Sequence, residues 1–259
     1  SSLHIPYVME KLKQLIEKYN VPVPRYTSYP PANHFEDAFP EVKVAEMISE
    51  SNLTETENIA IYIHIPFCKK ICFYCGCNAM TSKGDDVTFA YVEALKKEIS
   101  MVAGLLNKKR RVSQIHYGGG TPNAIDVKYL EEINQLIFDL FDVIPSPEIA
   151  IECHPAYLDE LYLQRLLNAR FNRFSLGLQD FNTEVLKTVN REPAAMPVKE
   201  IVDFIRLINP SVSVNLDFIY GLPGQTVESF NASIQQAIEI SPDRLVTFSY
   251  AHVPWLKKH

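Results

Sequence analysis

From residue 59 onward the chain alternates between two periodicities, and this alternation restricts the fold more than any other feature. Short apolar runs rich in β-branched residues occur at 59–65, 113–118, 148–153, 173–178, 212–219 and 244–250. Each of the first five is followed by a segment in which apolar residues recur every three or four positions. The first such segment carries Phe89, Val92, Leu95, Ile99, Val102 and Leu106, and the second Leu130, Ile133, Leu136, Ile137 and Leu140. Leu161, Leu163, Leu166 and Leu167 come next, then Val198, Ile201, Ile205 and Ile208, then Val227, Phe230, Ile234, Ala237 and Ile238. Runs of strand length followed by amphipathic helices predict an α/β fold with a parallel sheet covered by helices. A partial barrel and a doubly wound sheet both satisfy this pattern. A further short helix is expected over 181–190.

The chemistry gathers directly after the first run. Ile61 to Asn78 reads IYIHIPFCKKICFYCGCN, so the run stops at Pro66 and four of the five cysteines in the chain follow within ten residues. Cys68, Cys72 and Cys75 form a C-x3-C-x2-C string, with Cys77 two positions on. Closely spaced thiolates on one loop can each reach a different iron of a [4Fe–4S] cube, and three ligands would leave one iron open to a small molecule. A tetrahedral zinc site using all four cysteines competes with this reading, although Cys75 and Cys77 make a cramped second pair. Free or redox-active thiols are the third option. A disulfide framework does not suit 259 residues with no cysteine-rich repeat.

This loop resembles the signature of the radical S-adenosylmethionine (SAM) superfamily. The longer string, with Tyr62 and His64 before the first cysteine and Gly76, Cys77 and Asn78 after the third, is similar to the oxygen-independent coproporphyrinogen III oxidases. The resemblance implies a partial (β/α)6 TIM-like barrel and a [4Fe–4S] cluster on Cys68, Cys72 and Cys75. It leaves Cys77 beside the cluster without a ligand role. The open iron would chelate SAM, and Tyr62 would lie near SAM as a catalytic-site aromatic. The implied reaction is oxidative decarboxylation of two propionates of coproporphyrinogen III to vinyl groups by a 5′-deoxyadenosyl radical. Protoporphyrinogen IX is the product, and an external one-electron donor is required.

Functional residues of βα folds collect at the C-terminal ends of strands, and the unusual residues of this chain stand there. After the second run comes Gly118-Gly119-Gly120-Thr121-Pro122. Glycines permit close backbone approach to a ligand, and the string differs from the G-x-G-x-x-G dinucleotide pattern. It resembles the superfamily segment that pairs with the methionine part of SAM. Glu152 ends the third run, where a carboxylate can accept from ribose hydroxyls, and the resemblance gives it that role. Gln179, Arg191 and Asp217 match positions that bind SAM, Arg191 toward its carboxylate and Asp217 on the adenosine side. Read individually, Gln179 or Asp180 could cap a helix, Arg191 could be a surface cation, and Asp217 could satisfy a loop amide. Cys153 reads as an ordinary buried thiol, since adjacent Cys153 and His154 point to opposite strand faces. Thr226 reads as a helix N-cap with Glu228 in its first turn.

Ahead of the barrel, Val8, Leu12, Leu15, Ile16 and Tyr19 predict a helix over 6–19 with one apolar face. Pro22, Pro24, Pro30 and Pro31 then enforce an extended arm. Its Tyr26-Thr27-Ser28-Tyr29-Pro30 resembles a substrate-side motif of the same oxidases. A short helix is expected near 42–50. The sequence thus divides into residues 1–55, an N-terminal helix and arm, and residues 56–259, the barrel. The last run leads into an Ala251-His252-Val253-Pro254 segment also similar to the oxidases. The chain ends four residues after Trp255, so their helical C-terminal domain is expected to be absent and the sixth strand to present an apolar edge.

A formal charge of −6 gives no basic excess for nucleic acid. Lys108 to Arg111 read as a hydrated helix end. The apolar runs fall well short of the ~20 residues that span a bilayer, and the N-terminus lacks a signal-peptide core. A monomeric cytoplasmic protein in a reducing compartment is expected. A haem-binding or haem-chaperone protein on the same scaffold is the alternative function, and a nonenzymatic iron–sulfur or zinc protein is a third.

Overall fold

The computed structural model describes residues 4–21, 34–36, 39–53 and 57–251. The Tyr26–Pro30 motif and the His252–Trp255 ending lie outside the described residues. The chain divides into two compact units, Ser1–Val44 and Ala45–His259. In the first, helix α1 spans His4–Tyr19, matching the predicted periodicity. Leu12, Leu15, Ile16 and Tyr19 on its apolar stripe are exposed. Helix α2, Glu41–Glu50, crosses the boundary and has no fully buried residue.

The second unit is built on parallel strands. The six long ones are β1 (Asn58–Ile65), β4 (Arg111–Gly119), β5 (Val143–Cys153), β6 (Arg173–Gln179), β7 (Ser213–Tyr220) and β8 (Arg244–Ser249), and they lie side by side in that order. A doubly wound sheet reverses its strand order part-way along. Here the order never reverses, so right-handed crossovers carry every helix to the same face. This is the partial (β/α)6 barrel. The helices between strands are α3 (Asp85–Leu105), α4 (Val127–Leu140), α5 (Glu160–Asn168), α6 (Thr183–Thr188), α7 (Val198–Ile208) and α8 (Val227–Ile240).

Strand parity assigns the two faces. In β6, Phe174, Leu176 and Leu178 are buried, whereas Arg173, Ser175, Gly177 and Gln179 are only partly so. The same parity sends Ile63 and Ile65, Ile115 and Tyr117, Ile149 and Ile151, and Val214, Leu216 and Phe218 into one apolar core. That core is shared with Val92, Ile99, Leu130, Ile133, Leu163, Leu166, Ile201 and Ile205 of the helices. Each such side chain contributes about 1.5–3 kcal/mol through burial. The fully buried Tyr117 phenol in this layer is satisfied, donating to Asn134 Oδ1 at 2.6 Å. The opposite face is left to polar and small residues, and the functional site forms there.

Four local features differ from the sequence pattern. Strand β5 starts at Val143, earlier than the apolar run, and its register against β4 jumps from Val143 to Glu148. Pro145 and Pro147 cannot donate to a ladder, so the chain bulges past them. Two residues after β1, the pair β2 (Phe67–Cys68) and β3 (Met80–Thr81) forms a small parallel sheet that closes the cysteine loop. Its bonds are backbone ones that leave no periodic signal. Helix α6 is shorter than expected because Asn182 caps it, accepting from Glu184 N. Arg110 is no free helix-end cation, since it donates to Ser51 O at 2.5 Å.

Candidate functional site

The C-terminal ends of the strands surround a cavity of about 180 Å³. It is lined by Cys68, Cys72, Cys75 and Cys77 from the loop after β1, and by Gly119, Gly120 and Thr121 at the end of β4. Glu152, Gln179 and Asp217 from β5, β6 and β7 complete the wall together with Arg191 after α6. Five successive strand-to-helix units thus bring these predicted residues together. Tyr62 and Gly118 sit beside the cavity rather than in its wall. A Cβ on Gly118 would meet Tyr62 Cε2 and Glu152 Oε1, each at 3.0 Å.

The glycine run has a packing reason apart from any ligand. Gly120 donates to Ile65 O at 2.8 Å, and Thr121 N to Phe67 O at 2.9 Å, which welds the β4 end to the cysteine loop. A Cβ at Gly120 would fall 2.7 Å from Pro66 O and 3.0 Å from Cys68 Sγ. Gly119 has φ of 117°, and a side chain there would also strike Ile65 O at 2.8 Å.

The thiols have different surroundings. Cys68 and Cys72 are buried, Cys75 partly so, and Cys77 exposed. Burial raises the Cys68 pKa, and the Thr121 hydroxyl 3.4 Å away opposes that by stabilising the thiolate. The pKa of Cys77 is raised first by its hydrogen bond to Cys75 and then by burial. Among the described residues no three His, Cys, Asp or Glu side chains converge on a point where a single metal ion would sit. A cube takes its thiolates at separate irons.

The polar wall is arranged but incompletely bonded. Asp217 accepts from Ser175 Oγ at 2.8 Å, which replaces the loop amide expected from sequence. Burial raises its pKa, with the Ser175 bond acting against that. Glu152 accepts from His116 Nε2 at 3.0 Å. Asp180 is spent structurally, accepting from Asn182 N, Ser233 Oγ and Gln225 Nε2. His154 accepts from Ala156 N through Nδ1, and burial, followed by Arg191 and Lys69, lowers its pKa to about 3. Cys153 lies in the apolar core, where burial raises its pKa.

Among the described residues, four buried side-chain polar atoms lack a hydrogen-bond partner. Three of them, Tyr74 Oη, Gln179 Oε1 and Arg191 Nε, belong to residues that line this one cavity. Leaving such an atom unpaired costs about 1–3 kcal/mol. Gln179 also holds a left-handed φ of 72° where the β6–β7 register breaks, and a conformation of that kind persists only where its surroundings enforce it. The concentration of both costs in one place fits a polar ligand with donors and acceptors of its own.

A family model described as the radical SAM superfamily matches residues 62–237, more than half of the chain. The chain belongs to the radical SAM superfamily. Superfamily membership implies a [4Fe–4S] cluster and SAM. Among curated proteins, the chain is 41% identical over 245 residues to an oxygen-independent coproporphyrinogen III oxidase from Synechocystis, covering 94% of this chain and 52% of that protein. It is 39% identical to the protein of the same name from Escherichia coli K12, covering 93% and 51%. The solved coproporphyrinogen III oxidase (HemN) from Escherichia coli superimposes with a TM-score of 0.82 at 37% identity, over 94% of this chain and 54% of that one. The chain therefore spans about half the length of these relatives.

The donors present fit the groups that membership implies: three thiols on one loop, a glycine edge, carboxylates at two strand ends, an amide and a guanidinium. Residues that sequence reasoning passed over include Tyr74, His116 and Asn190. Tyr74 was hidden as one more aromatic in an apolar string, and His116 as strand filler. Asn190, next to Arg191, carries no signal of its own in the sequence. Among the described residues no helix is long and apolar enough to cross a membrane.

Proposed function

We propose that residues 56–259 form the catalytic barrel of an oxygen-independent coproporphyrinogen III oxidase, with residues 1–55 contributing a substrate-side arm. The observation that carries this reading is the cavity in which the cysteine loop faces two buried atoms without a hydrogen-bond partner, Gln179 Oε1 and Arg191 Nε. Similarity to the oxidases over more than nine-tenths of the chain supports the choice of substrate. Cys68, Cys72 and Cys75 would hold the cluster, and Cys77 would stand beside it.

The remaining roles follow from chemistry and position. The backbone of Gly118 to Thr121 lies open along one edge and would pair with the methionine part of SAM. Arg191 supplies positive charge for its carboxylate, Glu152 accepts from ribose hydroxyls, and Asp217 and Gln179 bound the adenosine side. Tyr62, whose hydroxyl is 3.1 Å from His64 Nδ1, covers Gly118 at the mouth. Held there, the cluster and SAM would supply hydrogen-atom abstraction directed at a propionate β-carbon, and the electron released with carbon dioxide would pass to a separate one-electron acceptor. The wall residues orient the reactants and exclude water. An external one-electron donor is required, and the five free cysteines suit a reducing cytoplasm.

The test is anaerobic reconstitution of the intact protein with iron and sulfide, then incubation with SAM, a reductant and coproporphyrinogen III. Formation of protoporphyrinogen IX with two carbon dioxide per substrate is expected. SAM cleavage without decarboxylation would reject the oxidase reading, and tight haem binding in its place would favour a haem chaperone. One zinc per chain without sulfide would overturn the cofactor reading.

A further inference from the structure

Three consecutive residues of the cysteine loop are bonded to three consecutive residues far along the chain. Ile71 O accepts from Asn190 Nδ2 at 2.8 Å, Cys72 Sγ accepts from Arg191 Nη1 at 3.3 Å, and Phe73 N donates to Val189 O at 3.0 Å. The turn making these bonds is itself held in shape. Arg191 Nη2 donates to Gly177 O, and Asn190 adopts a φ of 58°, a region that asparagine tolerates better than most residues. Next in the loop stands Tyr74, packed against the cluster formed by Val185, Val189, Ile219 and Leu222. Its hydroxyl is buried and makes no hydrogen bond of good geometry, and Arg191, Cys72 and Cys75 are the charged or polar groups around it, Cys72 being the one within its reach as an acceptor. Cys72 thus has a guanidinium on its sulfur and a tyrosine hydroxyl beside it.

We propose that the Val189–Arg191 turn and Tyr74 act as a clamp that fixes the cysteine loop and directs two donors, the Arg191 guanidinium and the Tyr74 hydroxyl, at the Cys72 sulfur, so raising the reduction potential of the cluster bound there. The inference rests on the iron–sulfur reading of the cysteines. One-electron reduction, with the electron coming from the external donor, adds negative charge that is shared with the ligand sulfurs. Donors aimed at a ligand sulfur stabilise the reduced form more than the oxidised one. No bond forms or breaks and no proton transfers. Tyr74 and Asn190 are positioning residues in this scheme, acting on the cluster through Cys72 and the loop.

Tyr74→Phe keeps the ring and deletes the donor. The reconstituted wild-type protein and this variant are compared by a redox titration read by electron paramagnetic resonance, with iron and sulfide counted for each. Equal loading with a lower midpoint is expected. At a fixed poise the ratio of reduced to oxidised cluster should fall about tenfold, which is 59 mV for one electron. An unchanged midpoint at full loading would overturn the proposal. Asn190→Gly retains the left-handed turn and removes the bond to Ile71, so it should load fully yet surrender iron to a chelator several-fold faster. An unchanged release rate would refute the clamp. Failure of the wild-type protein to take up iron and sulfide would overturn the cluster reading and this inference with it, and is distinguishable from a loaded variant with an unaltered midpoint.

Discussion

Gly120→Ala is the sharpest probe of how the glycine run and the cysteine loop depend on each other. The added methyl would lie 2.7 Å from Pro66 O, 2.9 Å from Pro66 C and 3.0 Å from Cys68 Sγ. Two of these neighbours are backbone atoms, locked by the bond from Gly120 N to Ile65 O and by Met80 N donating to Pro66 O at 2.8 Å. Neither can swing aside as a side chain would, so the loop or the strand end must move. Overpacking of this kind costs about 1–3 kcal/mol. Against it stands a gain of about 0.4–1 kcal/mol from the less flexible unfolded chain. The net expectation is a loss of about 1–2 kcal/mol, which lowers Tm by about 2–8 °C for a chain of this size. Because Pro66 precedes Cys68 by two residues, iron and sulfide uptake on anaerobic reconstitution should fall as well. Gly104→Ala is the control. It lies near the end of α3 with nothing within 4 Å of its would-be Cβ, so it should raise Tm slightly and leave loading intact. If Gly120→Ala unfolds at the wild-type temperature and loads a full cluster, the close packing inferred between strand end and loop is wrong.

Two further outcomes follow from other parts of the barrel. Thr226 and Ser229 form a reciprocal capping box at the start of α8, with bonds of 3.1 and 2.9 Å, and Thr226→Ala should cost about 1 kcal/mol in a denaturant titration without affecting cluster loading. Asp217 has its pKa raised in the folded protein by burial, so its contribution to stability is complete below its unfolded pKa and is lost as pH rises through the folded value. Asp217→Asn should therefore match the wild-type Tm at the acid end and exceed it increasingly toward neutral pH, while weakening SAM binding in equilibrium dialysis. A pH-independent difference in Tm would contradict burial as the cause.

The sequence determined the elements and the local strings that line the cavity, for reasons visible in single residues. Parity in Phe174, Leu176 and Leu178 already separates the helix-facing side of β6 from its polar side, because side chains alternate along a strand whatever surrounds it. The cysteine spacing and the glycine run are local strings. Contacts between distant segments decided the rest. Strand order, and with it the choice of barrel over doubly wound sheet, is set by which strands pair, and periodicity within one strand carries no such information. Helix α1 shows the same limit, since periodicity set its apolar stripe but could not say what lies against Leu12 and Ile16, which are exposed. Tertiary structure also joined Arg191 to Cys72 and Asn190 to Ile71, and left Tyr74, Gln179 and Arg191 with unpaired atoms around one cavity. A hydrogen bond has value only between atoms that folding brings within about 3 Å, so the surroundings of residues such as Asn190 and Tyr74 are set only once the chain has closed on itself.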